Sequence, residues 1–171
     1  ENMVGQFTHT TATYLQAYSA VARAPVRDEL REHAASQADV VFEGLEELWS
    51  SKTETYALRL RGNDFDTRLD SGTFALVDAF TEYDALDDLS ETHVDRLVAH
   101  VEQTLDGLYR DVGHSNVEGL IRFEEDYWRS AEQHEEKVWS VSTAWGASAA
   151  ARLGALLTEL GREEDAEAFF D

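Results

Sequence analysis

The sequence predicts a mostly α-helical domain, an antiparallel bundle of four or five main helices. It leaves open whether a small β-hairpin is inserted near residues 55–69. Three observations indicate this fold class. Apolar residues recur every three or four positions along most of the chain, which is the period of an amphipathic helix. Only one proline interrupts the 171 residues, and 43% of them are hydrophobic, enough to form a core. We expect residues 1–171 to form a single helical domain, with a fragment of a longer chain as the alternative.

Two helices are predicted at the start of the chain. The apolar spacing from Val4 to Ala22 indicates the first, and Pro25 ends it because proline has no N–H and disfavours helix at the preceding residue. Pro25 suits the first position of the second helix, where Asp28 and Glu29 complement the positive end of the helix dipole. We expect the two helices to pack as an antiparallel pair.

The apolar period changes to two between Thr53 and Leu69. Two alternating runs flank Gly62 and Asn63, which is typical of a hairpin with a type II′ turn. An isolated hairpin is marginally stable in water, so it would have to pack on the helices. A helix extension followed by a loop is the alternative.

Helix is predicted to resume after Ser71. The clearest amphipathic stripe follows, with Ser90 placed as its N-cap, apolar residues from Val94 to Val112, and Gly113 in the position of a C′ residue. The sequence therefore predicts one helix over this stripe.

A helical period persists from Val117 to Leu160. One helix of that length would extend about 65 Å, which is long for a globular domain. We therefore predict a kink or break near Gly146. Gly161 is predicted to end the helix, and Arg162–Phe170 to form a short amphipathic tail helix.

The chain has a formal net charge of −21, from 35 Asp and Glu against 14 Lys and Arg. Such carboxylate-rich surfaces are typical of halophilic proteins, because concentrated salt shortens the Debye length to about 3 Å near 1 M and relieves self-repulsion. We expect a salt-adapted cytoplasmic protein. An acidic domain encoded by a GC-rich genome is the alternative.

Salt dependence is testable directly. We expect cooperative unfolding on dialysis into dilute buffer, because the unscreened carboxylates then repel one another. Circular dichroism during dialysis measures the loss of helix. An unchanged spectrum in dilute buffer would contradict salt adaptation.

Composition also excludes several function classes. Phosphate binding needs clustered Lys and Arg, which the sequence lacks, so we expect no nucleic-acid partner. No run of 18 apolar residues occurs, which excludes a membrane span. The absence of cysteine excludes disulfides, thiolate metal sites and a cysteine nucleophile.

Two carboxylates, Glu124 and Glu135, fall on the centre line of the apolar stripe of the long predicted helix. A buried carboxylate needs a hydrogen-bond partner, an ion pair or a metal. The purely structural explanation is that arginine, tyrosine or tryptophan side chains on facing helices donate hydrogen bonds to both carboxylates. The functional alternative is a metal site with iron or another divalent metal, which resembles the ferritin-like bundles in topology but lacks their Glu-x-x-His motif. Its candidate ligands are Glu29, His33, Glu124, His134 and Glu135.

His93 and His100 stand seven residues apart on the flank of the Val94–Val112 stripe, so both could face one cleft. Histidines at such boundaries more often have water or carboxylate partners than ligands.

Aromatic residues are concentrated on the last long predicted helix. Their amphipathic rings suit a core, a dimer interface or the wall of a ligand cavity. The candidate interface or pocket residues are Tyr127, Trp128, Trp139 and Trp145.

No Gly-rich phosphate loop, nucleophile elbow or zinc-ligand motif occurs. We therefore expect a non-enzymatic interaction or regulatory module without a cofactor, which acts by homodimerisation or by binding a protein partner. The alternatives are a metal-binding bundle with a redox or storage role, and a small-molecule sensor domain whose cavity is lined by Trp128 and Trp145.

Overall fold

The computed structural model describes residues 5–85, 89–112, 116–126 and 136–170. Over these residues the chain is mostly helical, as predicted, and also contains small antiparallel sheets. The arrangement as a four- or five-helix antiparallel bundle is not confirmed. The helices are α1 (Thr8–Arg23), α2 (Asp28–Glu46), α3 (Ala75–Asp84), α4 (Glu91–Leu108), α5 (Ser140–Glu159) and α6 (Glu163–Glu167). The strands are β1 (Gln6–Phe7), β2 (Trp49–Ser50), β3 (Thr55–Tyr56), β4 (Arg59–Arg61), β5 (Asp64–Asp66), β6 (Tyr109–Val112) and β7 (Val117–Leu120).

Helix α1 packs against both α2 and α3. It ends before Pro25, as predicted, at Ala24 in extended conformation. The second helix begins later than predicted, at Asp28, but Asp28 and Glu29 do occupy its first turn. None of the described helices is long and apolar enough to cross a membrane.

The predicted hairpin is confirmed as β4 and β5, with Gly62 at φ +60° between them. Positive φ at the first turn position alone is what a type II′ turn requires. The third strand, β1, was predicted as helix and pairs with the other edge of β4. That pairing fixes the entry into α1 next to the hairpin.

The prediction of helix is wrong for residues 109–112 and 117–120, which are strands. Helix α4 begins at the predicted cap, where the Ser90 hydroxyl accepts the His93 N–H at 3.4 Å, but it ends at Leu108. Residues 109–112 form β6 and pair with β7, so that Tyr109 lies opposite Leu120. The β-branched and aromatic side chains of this segment suit a strand, and their spacing also fits a helical period, which misled the prediction.

Helix α5 replaces the second half of the long predicted helix. It runs without a break through Gly146, which is buried. A Cβ at Gly146 would lie 2.4 Å from Cδ1 of Leu120, so this glycine allows α5 to approach β7 closely. Gly161 ends the helical segment at φ +73°, as predicted, and α6 follows.

The core contains an aromatic cluster that joins α2, β3 and α3. The Phe42 and Tyr83 rings stack with centroids 4.4 Å apart, and Tyr56 meets Phe80 edge-on at 6.0 Å. Such pairs contribute roughly 0.5–1.5 kcal/mol beyond the area they bury. The cluster therefore ties the helices to the short β2–β3 sheet.

His100 lies in this core, where it is 1% exposed. The Tyr56 N–H donates to Nδ1 of His100 at 3.1 Å, so the neutral ring carries its proton on Nε2 and donates it to Thr73 Oγ1 at 2.9 Å. Burial lowers the pKa of His100 to about 3. His93, by contrast, packs edge-on against Phe42 and lies 3.4 Å from a carboxylate oxygen of Glu46.

Candidate functional site

A large hollow lies between the start of α1, the 3-10 turn Ser71–Phe74 before α3 and the first half of α5. Its volume is about 820 Å³, and a smaller hollow of about 220 Å³ adjoins it and shares His9, Ser71, Gly72 and Trp145. We call the larger hollow the cleft. Its lining residues are Phe7, His9, Thr10, Leu58, Arg68, Asp70, Ser71, Gly72, Arg122, Phe123 and Trp145.

Backbone pairing between two distant segments builds one wall of the cleft. Asp70 and Phe123 form an antiparallel bridge, and the Ser71 N–H donates to the Arg122 carbonyl at 2.8 Å. The Glu124 N–H in turn donates to the Leu69 carbonyl at 3.0 Å. The two segments are thereby held side by side, with Asp70 and Arg122 at one site.

Asp70 caps the turn that forms the floor of the cleft. Its Oδ1 accepts the Gly72 N–H at 2.6 Å, and the Thr73 hydroxyl donates to the Asp70 carbonyl at 2.6 Å. Thr73 is also the acceptor for His100, so a chain of hydrogen bonds connects the floor to the core. Asp–Ser–Gly suits this role because a short carboxylate readily satisfies nearby backbone N–H groups.

His9 contacts the same turn from α1. Its Nδ1 lies 2.8 Å from the Gly72 carbonyl oxygen, which can only accept, so Nδ1 donates. The neutral ring therefore keeps Nε2 as an acceptor. His9 and Asp70 together hold both backbone polar groups of Gly72.

Burial raises the pKa of the Asp70 carboxyl above its usual range. The Gly72 N–H and the charges of His9, Arg122 and Arg68 act in the opposite direction and offset only part of the shift. Asp70, the only acidic residue among those that line the cleft, therefore takes up a proton more readily than an ordinary exposed aspartate does.

Two arginines on the wall are held by carboxylates of their own. Arg68 contacts Asp66 through Nε at 2.9 Å and Nη2 at 2.7 Å, which lowers the pKa of Asp66. Arg122 makes the same pair of contacts with Asp126, at 3.0 and 2.7 Å. The Arg122 guanidinium also lies over the Phe123 ring, 4.6 Å from its centroid. Bidentate pairing of this kind fixes the plane of a guanidinium.

Of the predicted metal ligands, Glu124 is the one that the structure places differently from the prediction. Glu124 lies in the segment after β7, not on a helix, and its Oε2 accepts the Leu69 N–H at 2.8 Å. Glu29 and His33 are exposed on α2. His134 and Glu135 lie outside the described residues. Among the residues that are described, no three His, Asp or Glu side chains form a group that could hold a metal.

Of the predicted interface or pocket residues, Trp145 lies in the cleft, where it is 47% exposed. Trp139 is half-buried at the N-cap of α5, and the Arg122 guanidinium lies 5.0 Å from the centroid of its ring. Tyr127 and Trp128 lie outside the described residues.

The polar residues of the cleft are absent from the candidates that the sequence indicates. The signal for Asp70 is its position before Ser71 and Gly72, which is typical of a capped turn. Arg68 and Arg122 have no local signal, because they meet only through the pairing of residues 69–71 with 122–124.

No protein-family model matches the chain, and comparisons with curated proteins and with solved structures likewise give no significant match.

Proposed function

We propose that the chain is a small-molecule sensor domain whose ligand occupies the cleft. The observation that carries this proposal is a hollow of about 820 Å³ in which apolar walls and convergent polar side chains occur together. Ligand sites typically combine roughly 300–1,000 Å³ of space with these two features. Phe7, Phe123 and Trp145 supply aromatic surface, and Asp70 and His9 supply fixed polar groups.

A neutral apolar dye tests the cleft. N-phenyl-1-naphthylamine is expected to bind saturably with increased fluorescence, and Trp145→Ala is expected to weaken binding about tenfold, because an aromatic contact is lost. Trp145 is exposed, so its replacement should leave the fold intact.

Tyr14→Ala is the matched control. Tyr14 is an exposed aromatic residue on α1, 55% accessible, and does not line the cleft. Its variant should bind the dye as the unchanged protein does. Absence of saturable binding, or equal affinities in the Trp145 and Tyr14 variants, would overturn the proposal.

Action through homodimerisation or a protein partner stays a prediction from the sequence. Large exposed side chains such as Val40 and Phe170 offer apolar surface for it, but isolated ones are common on any protein. Light scattering in molar salt measures the association, and a strict monomer would contradict the homodimer.

A metal-binding role with iron or another divalent metal also stays a prediction. Metal analysis of the purified protein by mass spectrometry tests it, and a background content of iron and zinc would contradict it.

A further inference from the structure

We propose that the cleft binds a small organic anion with a planar apolar body, such as an aromatic carboxylate, and that Arg68 and Arg122 contact its anionic group. This inference rests on the proposed function and specifies the class of ligand. A planar body is expected because Phe7, Phe123 and Trp145 all line the same hollow.

Each of the two arginines is held in a fixed orientation and keeps one terminal nitrogen that could donate to a ligand. The hydrogen bonds to Asp66 and Asp126 engage Nε and Nη2 of each guanidinium. Among the described residues, neither Nη1 has a hydrogen-bond partner. A guanidinium that is already fixed in position loses less conformational entropy when it binds an anion.

The positive charge close to the cleft decides whether an anion can bind to this strongly acidic chain. At a net charge of −21 the surface as a whole repels anions, so an anion needs cationic groups at short range. The cleft supplies Arg68 and Arg122. Contacts at this range are screened by salt much less than interactions across the surface.

Asp70 is the only acidic residue among those that line the cleft, and its charge opposes an anion. The carboxylates of Asp66 and Asp126, which pair with the two arginines, add negative charge nearby. Asp70 faces His9 from α1, Arg68 from the segment after β5 and Arg122 from the segment after β7, and all three interact with its charge. Glu125 and Glu124 act on Arg68 from the neighbouring segment. Asp78, paired with Arg152, lines the adjoining hollow. An anion beside Asp70 favours the protonated carboxyl, so binding takes up a proton.

Two dyes with the same aromatic body test the anion preference. 1-Anilinonaphthalene-8-sulfonate carries a sulfonate, whereas N-phenyl-1-naphthylamine is neutral. We expect the sulfonate dye to bind at least about tenfold more tightly, and Arg68→Gln and Arg122→Gln each to lower its affinity about tenfold. Binding of the neutral dye should change less than about twofold in these variants.

Arg31→Gln is the control, because Arg31 lies on α2 and pairs with Asp28 away from the cleft. Arg122→Gln removes the bidentate partner of Asp126, which is 1% exposed, and so risks misfolding. If that variant does not fold, Arg68→Gln decides, since Arg68 is exposed.

Asp70→Asn provides a gain-of-affinity test. Asparagine keeps an oxygen for the Gly72 N–H and removes the negative charge. We expect this variant to bind the sulfonate dye several-fold more tightly at pH 7.5, and the unchanged protein to gain affinity on acidification as Asp70 takes up a proton.

The results with the two dyes distinguish a failure of the anion preference from a failure of the proposed sensor function. Equal affinities for both dyes, or sulfonate binding that Arg68→Gln leaves unchanged, would overturn the anion preference while the proposed function stands. If neither dye binds, the proposed function fails and this inference falls with it.

Discussion

Acidification from pH 7.5 to pH 4.5 is expected to lower the free energy of unfolding by about 3 kcal/mol through His100 alone. The pKa of His100 is about 3 in the folded chain, against about 6.5 in the unfolded chain. Because the folded pKa is the lower one, the unfolded chain binds the proton more tightly. The stabilisation is therefore fully present above pH 6.5 and is lost progressively as the pH falls towards 3.

Urea unfolding in molar salt measures this effect when the protein is compared with its His100→Gln variant. At pH 7.5 the variant should be about 1–3 kcal/mol less stable, because the glutamine amide lies one bond further along the side chain than Nδ1 and the buried Tyr56 N–H loses its acceptor. The difference should shrink or reverse towards pH 4.5, because glutamine does not titrate. Asp66 and Asp70 titrate in both proteins, so their contributions cancel. A difference that stays constant with pH would contradict the effect.

Gly119→Ala is expected to destabilise the chain by about 3 kcal/mol or more. Gly119 has φ +151°, a conformation that residues with a Cβ rarely adopt. A Cβ there would also lie 2.5 Å from Thr143 Oγ1 and 2.9 Å from Val138 Cγ1. Thr143 cannot turn away freely, because its hydroxyl accepts the Leu120 N–H and donates to the Trp139 carbonyl, both at 3.0 Å.

Gly62→Ala is the control for Gly119→Ala. Gly62 also has positive φ, at +60°, but nothing lies within 4 Å of its added Cβ. The backbone cost alone should be about 1–2 kcal/mol. Thermal or urea unfolding of the two variants separates strain from steric clash. Equal losses of stability in both would show that the contacts around Gly119 contribute nothing.

The parts of the fold that were predictable depend on neighbours in sequence. Ser90 precedes an amphipathic run and does cap α4, and Gly62 lies between two alternating segments and does form the turn of the hairpin. Each signal involves only a few adjacent residues. Predictions for such elements succeed because the stabilising contact and the pattern occupy the same short segment.

The errors arise where distant segments decide the structure. Residues 109–112 and 117–120 have spacing that suits a helix or a strand, and their mutual pairing selects the strand. Glu124 was likewise assigned to a helix from its spacing. Its position depends instead on a residue that is distant in sequence, because its carboxylate accepts the Leu69 N–H. Periodicity alone cannot distinguish these outcomes in short apolar segments.

The cleft illustrates the same limit. Trp145 was predicted as a pocket or interface residue and does line the cleft. Arg68, Asp70 and Arg122 were not, since nothing in their local sequence shows that residues 69–71 pair with 122–124. Convergence of polar groups is a tertiary property, and a single sequence does not reveal it.

The cleft wall also has a consequence for the order of folding. Phe7, Asp70, Phe123 and Trp145 come from four widely separated parts of the chain. Closing such long loops costs entropy before any contact compensates for it, so we expect these contacts to form late in folding. A molecule bound there would engage all four parts at once and would stabilise only the completed fold. Occupancy would therefore report that the whole chain, from β1 to α5, has reached its native arrangement.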